Sequence, residues 1–238
     1  MKIDNSNYSS SGGKAKRLVE IDAIRGLAVL AMVIYHFIYD LIAFYNLDFS
    51  LNHPIMLVLA TAAYLFFFLF GLSSNFTRNP LKRLGRTALA ALVITVSTYF
   101  FDPNLYVKFG TLHFLTAAGL IVYLLKDQGD EVIVLIAMAA FLIGKFIRQI
   151  PAQNDWLFPL GYISRSFNSS DYYPLFPNLT YVLLGYITGR KFYQDAKPIF
   201  PNLKAPFLSF LGRNAIIIYF VHQPLFLLLL SGSARLIK

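Results

Sequence analysis

Four ionisable side chains, Asp22, Arg25, His36 and Asp40, interrupt the otherwise apolar stretch EIDAIRGLAVLAMVIYHFIYDL that runs from Glu20 to Leu41. On a helix turning 100° per residue, Arg25 and His36 differ in direction by only about 20°, and Asp22 and Asp40 each fall about 40° from His36. One face therefore carries all four. Charge at membrane depth is costly unless it meets a protein interior or a wet cavity, so this stripe is expected to line one. At a rise of about 1.5 Å per residue, His36 lies roughly 16 Å beyond Arg25. Asp40, one turn further on, is placed to accept a bond from the imidazole and fix its tautomer, as a general base requires. The bland alternative is an Asp22–Arg25 ion pair at the interface, with His36 serving as an interhelical hydrogen-bond donor.

Two further histidines fall at comparable depth. His113 stands just after Gly110 in KFGTLHFLTAAG, and His222 precedes Pro224 in LGRNAIIIYFVHQPLF. Pro224 donates no amide hydrogen and frees the carbonyl of Phe220, so His222 is either a partner for freed backbone or a catalytic group or substrate contact. His36, His113 and His222 are expected to converge within a band of roughly 12 Å. His53, beside Pro54, reads as an exposed loop residue. No HxxxH or HExxH spacing occurs and the chain has no Cys, so no metal site and no thiol chemistry are expected.

The elements that must position these groups are membrane helices. With 57% hydrophobic and 14% charged residues and a mean hydropathy of +0.57, the chain has more apolar surface than a soluble domain of this length can bury. Apolar runs separated by charged or Pro-containing turns predict an all-α, polytopic integral membrane bundle of about seven transmembrane helices. These are Ile24–Phe44, Ile55–Leu72, Leu84–Phe101, Thr111–Leu125, Val132–Ile150, Pro177–Gly189 and Asn214–Leu230. Most Lys and Arg then fall on one side, among them Arg78, Lys82, Arg83 and Arg86 in FTRNPLKRLGRT, which sets the N-terminus inside. The net charge of +9 is thereby a topology signal, and no nucleic-acid partner is expected. The cluster Arg78 to Arg86 also suits an anionic lipid or a phosphorylated cofactor. Residues 1–17 read as a flexible cytoplasmic tail and 18–238 as one transmembrane domain. The Gly185-x-x-x-Gly189 spacing allows a homodimer.

Five segments, DAIRGLAVLAMVIYHFIYDL, YLFFFLFGLSSNFTR, TYFFDPNLYVKFGTLHFLTAAGL, DYYPLFPNLTYVLLGYITGR and LGRNAIIIYFVHQPLF, occur in an order that resembles small prokaryotic membrane proteins similar to the catalytic domain of heparan-α-glucosaminide N-acetyltransferase. The first also resembles the Arg-x10-His signature of the transmembrane acyltransferase-3 family. Thr111, Asn178 and Ala215 stand where that pattern usually has Ile, Trp and Ser. The resemblance implies a multi-pass enzyme of a prokaryotic cytoplasmic membrane that takes an acyl group, acetyl first, from cytoplasmic acyl-CoA. It passes the group to an amino or hydroxyl group of a glycan or small-molecule acceptor outside. His36 would be the general base, with Asp40, His113 and His222 around it, and Asp22, Arg25, Arg83, Arg86 and Arg213 would serve the acetyl-CoA end. An acyl-His intermediate is the other route within the family. From the residues alone, a proton-coupled transporter or a non-catalytic membrane binding subunit stays open.

Overall fold

The computed structural model describes residues 18–45, 47–193 and 196–236, the last six of these by backbone alone; the expected tail at 1–17 lies outside the described residues. Each of the seven apolar runs is helical. In chain order the helices are α1 (Val19–Tyr45), α2 (Pro54–Ala60), α3 (Ala62–Ser74), α4 (Pro80–Phe101), α5 (Thr111–Leu124), α6 (Asp130–Ile147), α7 (Leu175–Phe192), α8 (Pro206–Arg213) and α9 (Ala215–Leu236). No β-strand occurs among the described residues, only an isolated bridge between Phe109 and Tyr172.

Local chemistry explains several of the boundaries. Pro54, Pro80 and Pro206 open α2, α4 and α8, where a missing amide hydrogen costs nothing. His53, expected to be a loop residue, caps α2: its Nδ1 accepts from the Ile55 amide at 3.3 Å. Asp130 and Glu131 at the start of α6 and Lys145 at its end complement the helix dipole.

Among the described residues, three segments are long and apolar enough to cross a bilayer: α1, the nearly continuous α2–α3 and α4. A fourth is added if α8 and α9 form one span bent by 81°. The number falls below seven because α5 has only 14 residues and α6 and α7 carry charge at their ends. Broad apolar faces remain uncovered, as on α4, where Leu89 is 62% and Phe100 83% exposed. Such faces suit hydrocarbon rather than water, and the protein is an all-helical membrane protein.

The main core lies where α3, α5, α6 and α7 meet, around Phe67, Phe114, Ile133, Val182 and Leu183. Helix α1 packs beside it on α3 and is flanked by α8 and α9. Glycine permits the closest of these crossings. A Cβ at Gly26 would strike the Leu208 carbonyl of α8, and one at Gly212 would strike the Asp22 carbonyl of α1. Gly185 and Gly189 do the same for α7 against α3, meeting Phe68 and Leu72. The small-residue spacing read as a homodimer face is thus used within the chain.

Candidate active site

Helix α1 presents its polar stripe toward α3 at one end and α9 at the other. At the first end Arg25 donates to Asp22 at 2.9 Å and to the Ser73 hydroxyl of α3 at 2.7 Å. Arg83 approaches the same end of α3 from α4. It donates to the Thr77 and Ser74 hydroxyls at 2.9 and 3.3 Å and lies 3.9 Å from the centre of the Phe70 ring. All of its partners are neutral, so this largely enclosed guanidinium has no carboxylate to balance it. It lines a cavity of about 240 Å³ together with Lys126, Asn75, Tyr123 and Tyr186. Arg86 and Arg213 are exposed.

At the other end the rings of His36 and His222 meet edge to face, with centroids 5.0 Å apart and planes inclined at 61°. Their hydrogen bonds assign the tautomers. His36 Nδ1 is 3.0 Å from the Met32 carbonyl, and His222 Nδ1 is 3.0 and 2.9 Å from the carbonyls of Ile218 and Tyr219. A carbonyl only accepts, so both Nδ1 atoms carry the hydrogen, and in the neutral imidazoles it is Nε2 that keeps the lone pair. His222 Nε2 is buried without a partner. A neutral imidazole with its hydrogen tied to backbone and a bare Nε2 is the working form of a general base.

Asp40 does not hold His36. Its carboxylate is 4% exposed and accepts twice from the Gln223 side chain of α9, at 3.1 and 3.0 Å. The tautomer of His36 is therefore fixed by its own helix, while Asp40 pins α9 against α1 beside the imidazole pair. His222 bonds one turn back along α9 rather than to the Phe220 carbonyl that Pro224 leaves free, and α9 continues through Pro224.

His113 is placed differently. Its Nδ1 accepts from the Gly110 amide at 3.3 Å, and its Nε2 lies 3.0 Å from Thr95 Oγ1, whose single hydrogen goes to the Val107 carbonyl at 2.8 Å. His113 is thus an Nε2–H tautomer with both nitrogens engaged, joining α4 to the start of α5. Nearby, Asp171 accepts from the Thr111 amide and from the Tyr219 hydroxyl, both at 2.8 Å. Its neighbour Tyr172 donates to the Phe158 carbonyl at 2.7 Å, and burial pushes that phenol up to about 12, so it remains a donor. Gln223, Asp171 and Tyr219 were not visible as site residues in the sequence. The one available signal for Gln223 was its position next to His222.

Fold and site together define an all-helical membrane protein with paired basic imidazoles at one end of a helix and guanidiniums at the other. A family model described as heparan-alpha-glucosaminide N-acetyltransferase, catalytic, matches residues 17–224. The chain belongs to this family of acetyltransferase-like membrane transferases, as the five ordered segments imply. No curated protein and no solved structure matches it.

Proposed function

We propose that the protein moves an acyl group, acetyl first, from cytoplasmic acyl-CoA to an amino or hydroxyl group of a glycan or small-molecule acceptor on the outer face. The observation that carries this reading is the placement of the His36–His222 pair and the Arg25 and Arg83 guanidiniums at opposite ends of one polar stripe, with His36 about 16 Å from Arg25 along α1. Arg25 and Arg83 receive the anionic end of acyl-CoA, Arg83 being the stronger candidate because its charge lacks an acid partner and opens on a cavity. The pantetheine arm extends along the stripe and brings the thioester to His36.

His36 Nε2 takes the proton from the acceptor N–H or O–H as that atom attacks the thioester carbonyl. The tetrahedral adduct collapses, the C–S bond breaks, and the imidazolium returns the proton to the CoA sulfur, leaving an acylated acceptor and free CoA. His222, with its ring against His36, shares the proton or holds the second polar hydrogen of the acceptor. His113 has no lone pair to spare and serves to position α5. A direct transfer of this kind proceeds through a ternary complex and leaves no acyl-enzyme.

The test is calorimetric binding of acetyl-CoA to the purified protein in detergent, repeated with Arg83→Met and with dephospho-CoA, followed by turnover on a panel of amino sugars. Saturable binding that weakens with Arg83→Met, and turnover that vanishes with His36→Ala, support the reading. Folded wild-type protein that binds no acyl-CoA of any chain length overturns it, and proton flux in liposomes lacking thioester would then identify a transporter.

A further inference from the structure

The backbone of α9 holds the Nδ1–H of His222, but the ring meets His36 only if α9 itself is held in place, and one group that holds it comes from outside α9. Asp171 sits in the long connection between α6 and α7. One oxygen of its carboxylate accepts both the Thr111 amide at the first turn of α5 and the Tyr219 hydroxyl of α9, each at 2.8 Å. Helices α5 and α9 share little other backbone contact, so this oxygen ties α9 to the start of α5, as the Gln223–Asp40 bonds tie it to α1. Tyr219 lies one turn before His222 on α9: its carbonyl and that of Ile218 accept from His222 Nδ1 at 2.9 and 3.0 Å, and the Tyr219 and His222 rings lie 6.1 Å apart.

The carboxylate is itself held in place. The Ser169 hydroxyl donates to the Asp171 carbonyl at 2.9 Å while accepting from the Lys108 amide at 3.1 Å, and the Tyr173 amide donates to the Phe109 carbonyl at 3.0 Å. This short run of cross-chain bonds lays Asp171 over Gly110. Any Cβ at Gly110 would collide with the Asp171 carboxylate, so glycine at that position is what lets the acid reach Thr111 and Tyr219. A phenol bonded to a carboxylate is fixed more strongly than one bonded to a neutral acceptor.

We infer that Asp171 is a positioning residue for acyl transfer: through the Tyr219 hydroxyl it fixes where α9 sets the His222 imidazole against His36. The catalytic consequence rests on the function proposed above, whereas the ring placement can be read without turnover.

The experiment uses the full chain in detergent with 15N-labelled histidine, the His222 signals being assigned by their loss in His222→Gln. In the wild type, Nδ1 carries the hydrogen and Nε2 is bare. Tyr219→Phe, which removes one oxygen and keeps the ring and both backbone carbonyls, is expected to shift the His222 ring signals as the imidazole moves against His36, with Nδ1 still carrying the hydrogen. It should lower kcat at least about tenfold without changing KM for acetyl-CoA. Asp171→Ala is expected to do the same, and Asp171→Asn, which keeps an oxygen for the Tyr219 hydroxyl and the Thr111 amide, to restore most of the wild-type spectrum. A His222 spectrum unchanged in Tyr219→Phe overturns the inference. If the spectra respond as expected but the wild type acylates no acceptor, the proposed function fails and the positioning role stands.

Discussion

Two bare Nε2 atoms five ångströms apart by ring centre, and a third imidazole with both nitrogens spent, divide the histidines by task. Replacing His36 or His222 by Ala should lower kcat by roughly 10²–10⁴-fold, the range for loss of a general base, while acetyl-CoA binding by calorimetry is unchanged. His113→Ala should do the opposite. It strands the Gly110 amide and the Thr95 contact at a cost of about 1–3 kcal/mol, lowering the unfolding temperature in detergent more than it lowers kcat per folded molecule. Arg83 gives a further contrast. Because no acid balances it, Arg83→Met should leave the ligand-free protein as stable or more so, yet weaken acetyl-CoA binding by roughly 10–150-fold, the equivalent of a charged hydrogen bond of about 1.5–3 kcal/mol. Stability that falls while affinity holds would make Arg83 a structural cation. Arg25 and His36 were legible in the sequence because one helix sets both directions. The partners of Asp40 and His222 were not, since Gln223 comes from a helix nearly two hundred residues away and the Tyr219 carbonyl is backbone that no side-chain pattern announces.

The closest backbone crossings between helices fall where the chain leaves out a Cβ. Gly26 and Gly212 bring α1 and α8 into backbone contact, and this crossing fixes the mouth of the stripe beside Arg25. Gly26→Val drives a branched side chain into the Leu208 carbonyl, which cannot rotate away. The expected loss is about 1–3 kcal/mol or more, read as a fall in unfolding temperature of roughly 2–4 °C per kcal/mol. Gly85, on α4 with nothing near its missing Cβ, is the control: Gly85→Ala should be neutral or stabilising by about 0.5–1 kcal/mol. The long apolar runs were readable because each carries its own hydropathy. Helix α8 was not, since its eight residues lie among prolines and charges and it is defined by docking on α1. The Gly185-x-x-x-Gly189 spacing was seen, but a spacing states only that something comes close, and the partner proved to be α3 of the same chain.

At the scale of the whole molecule, the proposed reaction demands that the two ends of the polar stripe open to opposite sides of the membrane. The proposal takes the positive-inside pattern to put the FTRNPLKRLGRT turn and Lys126 inside, and the connection from Pro151 to Phe176 outside. The chain has no cysteine, so single cysteines can report this without background. Asn79→Cys and Gln128→Cys should react with a membrane-impermeant thiol reagent only after the membrane is opened, whereas Asn154→Cys and Ser166→Cys should react in intact cells. The reverse pattern would put the guanidinium end where acyl-CoA is absent, and the cytoplasmic donor would fall with it. Labelling of all four positions from one side would mean that the polar stripe does not traverse the membrane, and the imidazole pair and Arg83 would then have to share one aqueous face. Only the expected split places the anionic end of the donor and the acceptor on opposite faces, with the thioester carried to His36 between them.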